Sequence, residues 1–515
     1  MKHILILGAG LMQKPAIDSA HELGCHVTVV DGNPNALCAS VADVFYPVDL
    51  KNLEELEQVA GKMKTTHGLD AVFTAGTDFT ASVSYLTELF NLPGHSLEAA
   101  KNANDKVRMR ACFKREGVPS PEFTEVTKEK AFLSLEKLLP LASFPVVVKP
   151  CDNMGARGCR MVRSPEELEP ALLDAISFSR TGRAILEEYM DGPEFSIDSL
   201  VFNGEHTITG FADRHIFYPP YFIEMGHTMP TSITEEEYTE LLKTFNKGVK
   251  ALGLSHGAAK ADIKMTKKGA MIGEIAGRLS GGYMSGWTYP YGSGLNVTKQ
   301  GILLALGENP TELITHRENT ICSNIFDCKC NKASAERAWI SIPGVAKRVH
   351  NLELLSKMPS IKNVFPRTIP GDKVNFPVNN VQKSGNVISQ ASTVSDAIVA
   401  SENAIKKVFI ELEKNNTETK VFLNAPLNTE FPPSAFMVNE DLISTITNQK
   451  NDTFSGKPSW VDTVLNLSDW NGRTLGETLE LFYEMKPEMR QDSEKSGKFW
   501  YYVIRGGIQG ALYFE

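Results

Sequence analysis

Short β-branched apolar runs at residues 4–7, 27–30 and 71–74 alternate with longer helix-compatible segments through the first hundred residues. Each run ends in a turn signal: Gly8-Ala9-Gly10, then Asp31-Gly32-Asn33-Pro34, then Gly76-Thr77-Asp78. This is βαβ punctuation. It predicts a Rossmann-like, mainly parallel sheet with functional loops at the strand carboxyl ends. A helix over 97–116 follows, closed by Gly117 and the Pro119-Ser120-Pro121 breaker, where a domain boundary is expected. Between 144 and 275 the runs change character. Those at 146–149, 160–162, 184–187, 195–202, 259–264 and 271–275 are separated by Gly-rich turns and predict antiparallel sheets with interspersed helices. A further mixed lobe follows, with strands at 345–349 and 385–388 and a helix over 394–413. After the polar stretch at 414–417, Trp460, Trp470, Phe499, Trp500 and Tyr501 predict a folded tail to which the sequence assigns no chemistry.

The chain of 515 residues is too long for one core, and roughly 100 to 200 residues per domain implies three or four packed units. The class is α/β and α+β, multidomain. No run approaches the roughly 20 apolar residues of a membrane helix. The start, Met1-Lys2-His3, enters the first strand without a cleavage signal, so a cytoplasmic protein is expected. Eight scattered cysteines suit reduced thiols, and Cys322, Cys328 and Cys330 lack the paired spacing of a zinc site. With 53 basic against 62 acidic residues and no basic tract, nucleic acid is not an expected partner. A polyanion would have to bind where lysines, arginines and backbone amides converge inside a cleft.

Several segments carry chemistry. Gly8-Ala9-Gly10 with Asp31 imitates a dinucleotide fingerprint, but Gln13 stands where the third glycine belongs, which favours a plain tight turn. Lys149 ends an apolar strand and is followed by a loop containing Gly155 and Gly158; glycine amides can close over an anion while the ammonium balances its charge. It is not a Walker loop. Asp262 and Glu274 end two predicted adjacent strands, and two such carboxylates repel unless a cation lies between them, which selects Mg²⁺ or Mn²⁺. Arg278, four residues on, can reach the same point and stabilise developing negative charge.

With the segment Glu187-Glu188-Tyr189-Met190-Asp191-Gly192-Pro193-Glu194, these features resemble the ATP-grasp superfamily, in which a strand lysine, glycine loop, acidic-aromatic hinge and Gly-x-Glu occur in this order. The resemblance implies an ATP site. Glu187 would accept from the adenine amino group, the Glu188, Tyr189 and Met190 backbone would supply the other adenine contacts, and Glu194 would hold the ribose. Lys106 and Lys149 would bind phosphates, and Asp262 and Glu274 the metal. Where many members have Asn two residues after the metal Glu, this chain has Ala276, so one ligand must come from another residue, water or phosphate. The likeness is greatest to the L-amino-acid ligases, and extends to biotin carboxylase and glycinamide ribonucleotide synthetase. The segment Glu224-Met225-Gly226-His227 resembles the ligases' Glu-x-x-His, implying that Glu224 and His227 line an amino-acid pocket with Arg278.

The implied layout is a Rossmann-like domain at 1–100, an ATP-grasp domain at 101–310 with its lid at about 122–190, a C-terminal lobe at 311–413 and an extension at 414–515. The implied activity is ATP-dependent joining of a carboxylate to an amine through an acyl phosphate, and the likeness also brings a homodimer into view. Alternatives are a bicarbonate- or formate-using or purine-biosynthetic relative, and a nucleotide-binding regulator without turnover.

Overall fold

The structure, a computed structural model, describes residues 1–322, 324–455, 457–491 and 494–514. The chain divides into two units. The first holds Met1–His215, His227–Ser334 and Ser392–Val394; the second holds Ile216–Gly226, Ala335–Ala391 and Ser395–Glu515.

In the first unit the early apolar runs become strands β1 (His3–Leu7), β2 (His26–Asp31) and β4 (Ala71–Phe73), joined by β3 (Val44–Pro47). They form a parallel sheet in the order β3-β2-β1-β4. Helices α1 (Lys14–Glu22) and α2 (Leu53–Thr66) connect them, and α3 (Thr80–Phe90) follows β4. Alternation divides β1 between two cores. Ile4 and Ile6 join Ala16, Ile17 and Ala20, whereas Leu5 and Leu7 join Leu56, Ala60 and Leu86. Burial on both sides is why the run is continuously apolar.

The helix expected over 97–116 is two helices, α4 (Leu97–Asn104) and α5 (Lys106–Glu116). Asp105 breaks it. Its backbone is extended, and its side chain accepts hydrogen bonds from the amides of Val107 and Arg108, the bonding of a helix N-cap.

A second sheet contains β5 (Phe123–Thr127), β6 (Val146–Pro150), β7 (Arg160–Val162) and β8 (Arg183–Glu188), antiparallel in the order β5-β8-β6-β7. Val146, Val148, Ala184 and Leu186 pack with Leu168, Leu172 and Ala175 of the helix Pro165–Phe178. By alternation Lys149 and Glu187 fall on the other face.

The chain continues through β9 (Glu194–Phe202), β10 (Glu205–Phe217), β11 (Ile223–Met229), β12 (Gly257–Thr266) and β13 (Gly269–Ala276). Neighbours run β13-β12-β9-β10, antiparallel throughout. One face of these strands is apolar: Phe195, Ile197, Phe211, Ala261, Ile263 and Ile275 pack with Met109 and Phe113 of α5 and with Leu241, Leu242, Phe245 and Val249 of the helix Glu235–Leu252. Each such large side chain contributes about 1.5–3 kcal/mol on burial, enough to fix the register. The opposite face is left for polar residues.

In the second unit the strand Gly344–His350 pairs with Phe409–Leu412. The helix expected over 394–413 stops at Ile405, because the β-branched and aromatic run from 408 to 410 joins this sheet. Its core combines Ile342, Phe409 and Ile410 with Phe422, Phe482, Phe499, Trp500 and Ile504. Among the described residues no helix is long and apolar enough to cross a membrane.

Candidate active site

Strand register builds the site. Asp262 of β12 lies directly opposite Glu274 of β13, and on β9 Glu194, Ser196 and Asp198 lie opposite Lys264, Asp262 and Lys260. Arg214 of β10 lies opposite Glu194. A period of two therefore collects these charged side chains on the face away from the helices. The alignment of Asp262 with Glu274 depends on a bulge. The ladder passes from Asp262↔Glu274 to Ile263↔Ile272, leaving Gly273 as the extra residue.

The two carboxylates are surrounded by cations. Lys260 Nζ is 2.5 Å and Arg214 Nη1 3.0 Å from Asp262 Oδ1, and Lys106 Nζ is 3.4 Å from Glu274 Oε1. Arg214 also pairs with Glu194, whose second oxygen lies 3.5 Å from Lys264 Nζ. Burial is the largest influence and works to raise the Glu274 carboxyl, but the Lys106, Lys260 and Lys149 charges together outweigh it and hold the group below the ordinary glutamate value. Lys106 begins α5, its amide donating to Cys151 O and its ammonium to Asn153 O at 3.1 Å. The Asp105 break thus sets this lysine at the start of the loop after β6.

Glu187 is 1% exposed. Its carboxylate, expected at an adenine amino group, is clasped by Lys149 at 2.7 Å and Arg110 at 2.8 Å. Burial alone would raise it, yet the Arg110 and Lys149 charges leave it below its ordinary value. The Glu188 amide donates to Glu122 O, and Glu188 pairs with Lys268. Lys264 donates to Met190 O at 3.1 Å and lies over the Tyr189 ring. Gly158 adopts φ +68°, and a Cβ there would lie 2.9 Å from Phe178, so the loop that also contains Gly155 turns only with glycine at this point.

Arg278 donates to Asp78 Oδ1 from Nε at 2.7 Å and to Leu279 O at 3.1 Å. Asp78 comes from the Gly76-Thr77-Asp78 turn after β4, and the Ala75–Leu279 bridge joins that turn to the loop after β13. Asp198 has no exposed surface, and its Oδ2 accepts from Ser280 N at 2.9 Å and Ser280 Oγ at 2.8 Å. Burial pushes its carboxyl up to about 6. Sequence reasoning missed Arg110, Asp78, Asp198 and Arg214; only the turn signal around Asp78 marked one of them.

Two further expected residues lie on β11. Glu224, 7% exposed, belongs to the second unit, where its amide donates to Asn380 and its carbonyl accepts from Lys383. His227 is buried in the first unit. Both are on β11, and an odd separation of three directs them to opposite strand faces. At the Gly8 loop, Asp31 accepts from the Ala9 amide of the turn and Gln13 donates to Ala75 O after β4, so the residues that imitate a dinucleotide fingerprint hold the chain's own backbone.

Whether Mg²⁺ fits can be judged from the donors. Among the described residues no cluster of three His, Cys, Asp or Glu could hold a metal. Two opposed carboxylates without a third suit an ion that keeps waters and shares phosphate oxygens, which is how Mg²⁺ binds with a nucleotide.

Residues 142–286, which include this sheet, its carboxylates and the Lys149–Glu187 pair, match the model of the ATP-grasp domain. The chain carries an ATP-grasp domain. Residues 338–413 match the L-amino acid ligase C-terminal domain 2. Carnosine synthase 1 of Gallus gallus is 26% identical over 60% of this chain and 36% of its own length. Alanine–anticapsin ligase of Bacillus subtilis is 26% identical over 44% of this chain and 52% of its own. The chain thus spans between about a third and half of these relatives. The L-amino acid ligase structure from Bacillus licheniformis superposes with a TM-score of 0.67 at 20% identity, covering 80% of this chain and 99% of that one. The fold is accordingly the ATP-grasp fold, of mixed α/β content with several sheets.

Proposed function

We propose that the protein is an ADP-forming carboxylate–amine ligase with an amino acid as a substrate. The observation that carries this reading is the Asp262–Glu274 pair, set opposite in one ladder with Lys106 beside Glu274, inside the ATP-grasp domain. The L-amino acid ligase C-terminal match and the relatives' names support the amino-acid class.

In this reading MgATP binds with its adenine at the hinge 187–190, its ribose at Glu194 and its phosphates at Lys106, Lys149 and the loop containing Gly155 and Gly158. Asp262 and Glu274 would hold Mg²⁺, whose charge would offset that of the phosphates. A substrate carboxylate oxygen attacks the γ-phosphorus and ADP leaves. The amine then attacks the acyl carbon, phosphate leaves with the bonding electrons, and the nitrogen loses a proton as the amide forms. Arg278, steadied by Asp78, stabilises charge on the acyl phosphate and the tetrahedral intermediate. The loop after β6 excludes water, which would otherwise hydrolyse the intermediate. The parallel sheet at the start of the chain serves as a Rossmann-like scaffold presenting Asp78, and the enzyme works as a homodimer, for which light scattering should give twice the chain mass.

Isotope transfer tests the mechanism. With MgATP and amino acids labelled with ¹⁸O in the carboxyl group, one labelled oxygen should appear in the released phosphate. Unlabelled phosphate, or AMP and pyrophosphate, would contradict it.

A further inference from the structure

Arg110 lies one turn after Lys106 on α5, and its side chain is 0% exposed, against 8% for Lys106 and 19% for Lys149. A guanidinium is costly to bury without partners. Arg110 has two, on different strands. Its Nε is 2.8 Å from Glu187 Oε1 on β8, and its Nη2 donates to Gly273 O on β13 at 2.6 Å.

The first contact bears on charge. Glu187 is shared, since Lys149 Nζ is 2.7 Å from the other carboxylate oxygen. One negative and two positive groups leave the triad with one net positive charge. Without Arg110, Glu187 and Lys149 would cancel. In a poorly solvated site that pair would hold tightly and offer little to a phosphate. The second contact bears on geometry. Gly273 is the extra residue of the β13 bulge, the irregularity that sets Glu274 opposite Asp262. Arg110 takes the carbonyl of that residue, which ties α5, and with it Lys106, to the carboxylate strand.

We infer that Arg110 is a positioning residue for the nucleotide phosphates: it takes up the Glu187 charge so that Lys149 keeps its own, and it pins the bulge that aligns Glu274 with Asp262. The inference rests on reading the site as a MgATP site.

Calorimetric affinities for MgADP and for adenosine test it, because adenosine lacks the phosphates that Lys149 would meet. Arg110→Met should weaken MgADP by about tenfold or more while adenosine changes little. Adding Glu187→Gln, which restores the net positive charge and keeps an acceptor oxygen at 187, should recover most of the MgADP affinity. A purely structural role predicts that both ligands weaken together, or that the double variant binds MgADP no better than Arg110→Met; either result overturns the inference. If Arg110→Met does not fold, Glu187→Gln alone carries the test. It raises the net charge, so the preference for MgADP over adenosine should increase, and an unchanged preference overturns the inference. If the unsubstituted protein binds neither ligand, the nucleotide reading falls and the inference falls with it; if it binds both and Arg110→Met keeps the parental preference, only the inference falls.

Discussion

Arg278 and Asp198 mark two ways in which single side chains govern this site. Arg278 is the cation proposed to meet charge that develops only during reaction. Arg278→Met should therefore lower the rate of phosphate release about 100-fold or more while MgADP affinity stays close to the parental value, a contrast that steady-state rates and calorimetry would check. Asp198 sits beneath the same loop through Ser280, and burial lifts its carboxyl from 3.8 to about 6. The folded chain thus holds this proton more tightly than the unfolded chain does. The stabilisation is complete below pH about 4 and is lost as pH rises through about 6. Asp198→Asn keeps an acceptor for Ser280 but never ionises. Its stability relative to the parent should rise between pH 4 and 7 by on the order of 1–3 kcal/mol in urea titrations; no pH dependence of the difference would contradict the assignment. Asp262 and Glu274 could be singled out in the sequence because they interrupt apolar alternating runs, although both lie within their strands rather than at the ends expected, and Arg278 follows two residues after the second strand. The pairings of Asp78 and Arg110 were not visible there. Their partners Arg278 and Gly273 lie 200 and 163 residues away, and no local pattern encodes such a meeting.

At the level of elements, the strands of the site were legible and their interruptions were not. The runs at 195–202, 259–264 and 271–275 each fall within an observed strand, since alternation leaves a pronounced mark when one face is buried. The break at Asp105 hides inside a sequence of good helix formers, although Asn104-Asp105 is itself an N-cap signal. Asp105→Ala removes the acceptor for two amides and the partner of Arg183. It should cost about 1–2 kcal/mol, measured by urea unfolding, and displace Lys106. The strand Phe409–Leu412 was read as helix because its preference for a sheet depends on a partner some sixty residues earlier. Gly192, just after the hinge, has φ +136°, and a Cβ there would lie 2.0 Å from Met265 O, a backbone atom of β12. Gly192→Ala should destabilise by more than about 2 kcal/mol and weaken adenosine binding, since hinge and strand would have to separate.

On the scale of the whole chain, the sequence indicated that the last hundred residues fold but not what they fold with. Within the second unit, Gln509 accepts from the Ile342 amide and donates to Ile410 O, while Phe422, Phe499 and Trp500 share a core with Ile342 and Phe409. These residues complete the unit that contains the L-amino acid ligase C-terminal match. Deleting 414–515 should strip that core and leave an aggregating product, detectable by gel filtration; a soluble, cooperatively melting truncation would contradict this packing. The chemistry proposed for the first unit is tested most directly by phosphate release from MgATP across single and paired amino acids, with product masses and a Glu274→Ala control. The expected result is amino-acid-dependent release that yields ADP and a dipeptide and disappears in the control. Release unaffected by every amino acid, or undiminished in Glu274→Ala, would contradict the ligase reading.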